Sequence, residues 1–594
     1  MLSKKEFDVV LALHAGSVSN QRSLANETGL SLGSVNATLK KLASKGLVQG
    51  YELTSEGCDV LASHKVDNAV ILAAGLSSRF APISYEKPKG ILQVRDEVLI
   101  ERQIRQLKEA GIDDITVVVG YKKEYFFYLE DALGVSIVVN EEYASRNNHS
   151  SLMVVRDRLK NTYICSSDDY FVENPFEPYV WKAYYAAQYV EGPTREWCIG
   201  VGSGDRITSV EIGGSDAWVM IGHVYFDQRF SEGFSRILVD EYDRPDTVGK
   251  LWEDLYADHL SEFDMLIRRY DPPIAYEFDT LDEVREFDPH FISNVDSAAF
   301  DNIVKVVGCA KEEIRDIYPL KQGLTNLSCH VSAGTGEYVY RHPGVGTEQI
   351  IDRNAELSAL TVAKELGLDG TFLFEDPAQG WKVSRFIPGC RELDPRDKEQ
   401  VKLAMRMARR LHDSGASVTR TFDFYDEGKR YEALMQAKAP VDVPGYAEMS
   451  EKAERLHSCA ARDGVAPCLT HNDFFHLNFL IDAADRMHLI DWEYAGMSDY
   501  ASDFGTFTVC SQLSEEEADW ALACYFDREP TFEERRHNYA FVALAGWCWY
   551  VWSLYKESEG ECVGAWLYVY YDYARRYLDK VLGWYERGST EEVA

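Results

Sequence analysis

Between Leu469 and Gly496 the chain reads LTHNDFFHLNFLIDAADRMHLIDWEYAG. His471, Asp473 and Asn478 form H-x-D-x-x-x-x-N, and Asp491 opens D-W-E-Y after a short apolar run. Phosphoryl transfer asks for residues of these types in this order. One aspartate accepts the proton of a substrate hydroxyl, an asparagine five residues on holds a magnesium ion, and a strand-end aspartate holds the metals that bridge the ATP phosphates. The spacing therefore assigns Asp473 as base and Asn478 and Asp491 as metal ligands.

The segment before this stretch supplies the remaining parts. DIYPLKQGLTNLSCHVSAGTGEYVYRHPG predicts strand, turn, strand, turn, strand. Its Gln322–Asn326 turn, with Gly323, Thr325 and Asn326, would cover ATP phosphates with backbone N–H groups. Arg341 ends the third strand, and Glu356 lies on a helix beginning near Asp352. A strand cation paired with a helix glutamate orients the α- and β-phosphates, and arginine can do this with a fork of two donors. These features place a phosphotransferase unit at residues 298–594.

The 594 residues imply two to four domains. A net charge of −35 argues against nucleic acid or an anionic membrane covering most of the surface. The twelve cysteines form no C-x-x-C pair, as expected for reduced thiols. MLSKKEFDVV lacks the apolar core of a signal peptide, and the uncharged run Tyr539–Tyr555 is shorter than the roughly 20 residues that span a bilayer. A cytoplasmic chain with no membrane insertion is expected.

Residues 1–65 predict two helices, a turn at Gly29 and Ser31, a third helix over Ser31–Lys45, then a short strand and turn in YELTSEG. Lys40, Lys41 and Lys45 cluster on the third helix. The pattern resembles a MarR-like winged helix-turn-helix, in which that helix enters the major groove. Contact with DNA and contact with protein both remain open.

Residues 66–297 alternate strands and helices, which predicts a Rossmann-like α/β domain with its site at the strand ends. NAVILAAG runs into a glycine turn formed by Ala73, Ala74 and Gly75, where a nucleotide phosphate can approach. Arg79 and Lys89 supply charge for phosphates, while Asp168 and Asp279 end strands where carboxylates can hold magnesium.

LAAGLSSRFAP with KPKG resembles the signature of nucleotidyltransferases that make sugar nucleotides and CDP-alcohols. SSDDYF, Trp197, KLWEDLY with Trp252, and YEFDTLDE are most similar to bacterial CTP:phosphocholine cytidylyltransferases. That resemblance implies Asp168 and Asp279 as the magnesium pair, Arg79 on the triphosphate, and Lys89 bridging the phosphates. Ser77 departs from the pattern, since many members carry glycine there.

QGLTN, YVYRHPG, RNAEL, HNDFFHLNFLID, DWEYAG and CWYVWSLY resemble bacterial choline kinases, which share the bilobal fold of aminoglycoside phosphotransferases. The resemblance implies a choline pocket lined by Trp549, Trp552 and Tyr573 or a neighbour. Glu493 and Asp503 would add charge near the cation or else hold the loop after Asp491. The expected whole is a multidomain α/β and α+β enzyme that phosphorylates choline with ATP and then forms CDP-choline with CTP. The same two reactions on ethanolamine or a sugar are the alternative, as is a transcription regulator that kept enzyme-like domains.

Overall fold

The computed structural model describes residues 2–16, 18–271, 274–320, 326–344, 351–560 and 562–587. The chain forms two compact units: Met1–Ala298 with Ile317–Pro319, and Ala299–Asp316 with Leu320–Ala594.

The first unit opens with helices Lys4–His14, Gln21–Thr28 and Leu32–Ser44, followed by the paired strands Val48–Gln49 and Glu52–Leu53. Asn20 and Ser31 cap the second and third helices, and Gly29 takes φ +66° at the turn between them. TSEG is not a turn. Thr54 caps a fourth helix, Ser55–Ala62, by accepting from the Gly57 N–H.

Glu6 organises this small unit. It completes a capping box with Ser3 and accepts ion pairs from Lys45 at 2.7 Å and Lys41 at 3.2 Å. Two of the three lysines expected on DNA phosphates thus pair with Glu6 while their side chains stay exposed. Burial alone would raise the Glu6 carboxyl, but hydrogen bonds from Lys45, the Ser3 N–H and Lys41 outweigh it and hold the pKa at about 2, against 4.5. A depressed folded-state pKa gives stability that is complete above 4.5 and lost as pH falls towards 2. Glu6→Gln should destabilise this unit by about 1.5–3 kcal/mol at pH 7. The difference should shrink between pH 4.5 and 2 in thermal melts followed by circular dichroism.

A seven-stranded sheet follows, in the order 266–270, 184–201, 207–226, 162–166, 68–73, 115–119, 136–139. Strand Asn68–Ala73 runs parallel to both Ile115–Val119 and Thr162–Ser166, and Ile207–Phe226 is antiparallel. Val70, Ile71, Val117 and Val118 are fully buried, as strands covered on both faces require. Glycine and aspartate turns leave the C-terminal ends of 68–73 and 162–166, side by side. The short strands Asp169–Phe171 and Ala275–Glu277 pair so that Glu277 lies opposite Asp169.

In the second unit strands Asn326–Ala333, Gly336–Pro343, Lys382–Arg385 and Phe372–Glu375 form an antiparallel sheet in that order. Helix Arg353–Glu365, capped by Asp352, follows the second of them. The remainder is mainly helical around one large apolar core. Helix Phe532–Ser558 crosses its neighbours at small residues. A Cβ on Gly505 would sit 2.5 Å from Phe541 O, and one on Gly546 would sit 2.8 Å from Ala574 N. Close approach at those crossings sets the position of Trp549 and Trp552. Among the described residues no helix is long and apolar enough to cross a membrane, and the twelve cysteines are free thiols.

Candidate active sites

In the second unit the strand Phe479–Ile481 and the strand Met487–Leu489 bring Asn478 and Asp491 to the same edge as Asp473. Asn478 Nδ2 donates to Asp473 Oδ2 at 2.9 Å and to its backbone oxygen at 2.8 Å. Burial, then the neighbouring charge of Asp491, raises the Asp473 carboxyl well above its ordinary range. A carboxylate so placed has a strong affinity for a proton. The Asn478 amide oxygen and the Asp491 carboxylate are hard donors of the kind magnesium takes, so the residues fit that ion.

Asp503 does not face a cation. Its oxygens accept from the backbone N–H groups of Asn472 at 2.6 Å and His471 at 3.0 Å, and His412 Nε2 lies 2.9 Å away. It holds the loop that leads into Asp473, including Asn472 at φ +66°.

Arg341 forks onto Glu356 at 2.6 and 2.9 Å, as the strand–helix spacing predicts. Three further residues that sequence reasoning missed join this buried network. Glu375 lies 3.0 Å from Arg341, Lys382 lies 3.2 Å from Glu356, and Arg353 lies 2.8 Å from Glu356. Lys382 stands directly across from Arg341 in the sheet, so both reach the same carboxylate. Asn326 links Arg353 to Glu493, accepting at 3.1 Å and donating at 2.7 Å. Glu493 thus joins this network through Asn326, and burial with the nearby Asp491 charge pushes it up to about 7. Gly323 and Thr325 lie outside the described residues.

Trp549 and Trp552 meet edge to face at 6.1 Å, and Tyr494 stands edge-on to Trp549 at 5.5 Å. Trp552 Nε1 is buried without a hydrogen-bond partner. The Tyr573 hydroxyl donates to Leu513 O at 2.7 Å, and its ring stacks on Tyr577 at 5.9 Å. Tyr570, one turn earlier, stacks on Trp566 at 5.7 Å, and its hydroxyl lies 4.0 Å from Cys510 Sγ.

In the first unit a cavity of about 880 Å³ opens at the strand ends, lined by Gly75, Arg79, Trp197, Glu277 and Asp279 among others. Gly75 is exposed, with open space where a Cβ would point, and it follows the buried pair Ala73 and Ala74. Ser77 takes φ +51°, a conformation that favours glycine. The backbone shape is kept at a cost of roughly 1–2 kcal/mol.

Each expected phosphate-binding cation here rests on an expected metal ligand. Lys89 Nζ is 2.5 Å from Asp168, and Arg79 is 2.8 Å from Asp279. Burial would raise Asp168, but Lys89 and the Ser166 hydroxyl hold it below its usual value. Asp169 is buried with neither oxygen hydrogen-bonded. Burial, then Asp168, pushes Glu277 up to about 8. Glu277 was not legible as a site residue, yet it crowds Asp168 more directly than Asp279 does. Crowded carboxylates with unpartnered oxygens suit a divalent cation. Among the described residues no group of three or more His, Cys, Asp or Glu converges as a finished metal cage. Magnesium sites usually complete themselves with substrate phosphates and waters.

Trp252 is a core residue. It stacks on Tyr185 at 5.7 Å and meets Phe226 and Phe234 edge-on, so it backs the cavity wall. Glu253, beside it, was missed. Burial pushes this carboxyl up to about 7.

Comparison with known proteins follows the same three regions. Residues 2–49 match the family described as winged helix-turn-helix DNA-binding, residues 69–190 the MobA-like NTP transferase domain, and residues 316–536 the phosphotransferase enzyme family. The chain is 32% identical to choline-phosphate cytidylyltransferase of Streptococcus pneumoniae over 37% of its own length and 96% of that protein. It is 33% identical to 2-aminoethylphosphonate cytidylyltransferase of Lancefieldella rimae, covering 38% of this chain and 93% of that one. The crystal structure of choline kinase LicA from Streptococcus pneumoniae is similar at 25% identity and a TM-score of 0.42, over 48% of this chain and 97% of that one. Through its middle region the chain belongs to the choline-phosphate cytidylyltransferase family, joined on one polypeptide to an N-terminal winged helix-turn-helix and a C-terminal choline kinase-like phosphotransferase domain.

Proposed function

We propose that the chain makes CDP-choline in two consecutive steps, phosphorylating choline with ATP and then joining phosphocholine to CTP with release of pyrophosphate. The observation that supports this reading is the pairing of two sets of polar machinery on one chain, Asp473, Asn478, Asp491 and Arg341 in one and Asp168, Asp279, Arg79 and Lys89 in the other, suited to consecutive reactions. In the first step Asp473 accepts the hydroxyl proton while Asn478 holds that carboxylate in place. Arg341, fixed by Glu356 and Glu375, faces the phosphates with Asp491 4.0 Å away. In the second step Lys89 and Arg79 release their carboxylates to meet the triphosphate, and the phosphocholine phosphate attacks the α-phosphorus. Magnesium, held by Asn478 and Asp491 in one site and by Asp168 with Glu277 or Asp279 in the other, would neutralise phosphate charge.

The test is purified protein with choline, ATP, CTP and magnesium, followed by phosphorus NMR. Phosphocholine and then CDP-choline should accumulate. A chain that turns over neither choline nor phosphocholine rejects the reading. A second reading, a primary-amine substrate, draws support from the likeness to the 2-aminoethylphosphonate enzyme. Phosphoethanolamine and 2-aminoethylphosphonate in the same assay separate the two.

The aromatic wall bears on that choice. A quaternary ammonium donates no N–H hydrogen bond, so its binding depends on ring faces at about 0.5–2 kcal/mol each. Trp552→Ala should raise the choline KM roughly tenfold and leave the ATP KM nearly unchanged. If a folded Trp549→Ala, Trp552→Ala double mutant keeps its choline KM, these rings belong to the core and the cage lies elsewhere.

A further inference from the structure

A second cavity, of about 820 Å³, lies within the phosphotransferase unit, and none of Asp473, Asn478 and Asp491 lines it. It opens between the start of helix Arg353–Glu365 and the segment leading into helix Phe424–Gln436. Three guanidinium groups line it, those of Arg353, Arg420 and Arg430. Two of these side chains are deeply buried, Arg353 at 8% exposure and Arg420 at 9%. The carboxylates on the same walls are Asp352 and Glu427. Asp352 caps its helix, accepting from the Asn354 and Ala355 N–H groups at 3.1 Å each. Glu427 serves two arginines at once: Arg430 Nε donates to it at 3.0 Å, and Arg420 stands 3.8 Å away. Among the described residues that is the one ion pair Arg420 makes. Its closest partner is a neutral carbonyl, Glu493 O at 2.7 Å. The side chains of Asn354, Thr419 and Thr421 also line the cavity, and they form no hydrogen bond among the described residues.

A buried guanidinium without a close carboxylate is stabilised by an anion. Forked donors beside two hydroxyls and an amide match the oxygens of a phosphate chain, and the volume is that of a nucleotide-sized pocket. The same charge repels choline or an amine. On a chain of net charge −35 such a cluster is where an anion gathers. We infer that this cavity is a regulatory site for a di- or triphosphate anion, separate from the ATP phosphates at Arg341 and Asp491. The site touches the catalytic parts at two points. Arg420 holds Glu493 O, two residues past Asp491, and Arg353 donates at 2.8 Å to Glu356, the carboxylate that fixes Arg341. A phosphate that draws Arg420 off Glu493 O loosens the segment carrying Asp491. Occupancy therefore lowers the rate of phosphoryl transfer and leaves the ATP KM unchanged, a consequence that rests on the kinase reading above.

The test titrates inorganic pyrophosphate, CTP and CDP-choline, each with excess magnesium, into the full chain by calorimetry, and repeats the titrations on Arg430→Gln. That substitution removes one cation and returns Glu427 to Arg420, so one binding site should weaken by about tenfold or more, while nucleotide binding in the first unit stays as it was. Asn354→Ala, placed on the opposite wall, should weaken the same site by about threefold even if Arg430→Gln folds poorly. Binding of pyrophosphate alone identifies a bare phosphate site, and binding of the cytidine compounds alone identifies one that also takes the nucleoside. Isotherms that match between wild type and both variants for all three compounds overturn the site. In the ADP-release assay the bound compound should lower kcat with choline at least about threefold in wild type and not in Arg430→Gln, whose basal rate should stay within about twofold. A site that binds without changing kcat, or that raises the ATP KM instead, overturns its regulatory role. A chain with no choline turnover overturns the kinase reading, and the calorimetry still decides the site.

Discussion

Asp473→Asn is expected to lower the rate of phosphocholine formation by roughly a thousandfold. The substitution preserves shape, and the amide can still meet Asn478, so the loop held by Asp503 should stay folded. What disappears is the proton acceptor. Burial and the Asp491 charge raise the Asp473 carboxyl well above its ordinary range, which matches it to a hydroxyl proton better than an exposed aspartate would be. Added phosphocholine should still be converted to CDP-choline by the same preparation, which serves as its control for folding. Phosphorus NMR or a coupled ADP assay reads both rates. Retention of most kinase activity would show that another group takes the proton.

Asp168→Ala should stop the pathway at phosphocholine, with a fall in cytidylyl transfer of at least about a hundredfold from lost stabilisation of phosphate charge. Choline phosphorylation should continue. Removing Asp168 also strands Lys89, a buried lysine with its ammonium 4.6 Å from the Phe80 ring. Asp168→Asn is the cleaner variant because it keeps a polar partner for that lysine. CTP should be preferred over UTP and ATP in wild type. Equal rates with UTP, or product with sugar phosphates alone, would move the domain to the sugar-nucleotide class.

The two sites differ in how far they could be read in advance. Asp473, Asn478 and Asp491 lie within one short stretch, so their spacing encodes their meeting. The network around Arg341 is different: Glu375 and Lys382 come from separate strands whose register decides whether they point inward. Glu277 and Asp279 are two residues apart, and only the pairing of Ala275–Glu277 with Asp169–Phe171 shows that Glu277 lies opposite Asp169. Tyr570 and Tyr573 share a helix, and the partners of their hydroxyls, Cys510 and Leu513 O, lie too far back in the chain for spacing to reveal them. Glu253 had no signal beyond its place in KLWEDLY, because Tyr185 and Asn148, which hydrogen-bond it, meet it only in the fold. The fourth helix of the winged unit was hidden by Thr54, a residue that serves turns and helix caps alike.

One seam in the first unit bears on how the protein can be cut. Val66 N–H donates to Pro178 O, Val180 N–H to His64 O, and Trp181 Nε1 to Leu2 O. Tyr179 and Trp181 pack against the apolar centre of the winged helix, and the same segment runs on into strand Tyr184–Val201, which carries Tyr185, Glu196 and Trp197. A recombinant fragment starting at residue 66 would therefore present two uncovered aromatic rings, with the Val180 N–H and the Trp181 indole N–H unanswered, immediately ahead of the cavity-lining strand. Such a fragment is prone to self-association, so expression boundaries for the cytidylyltransferase should begin at the first helix, with the winged helix retained as its fitted cover.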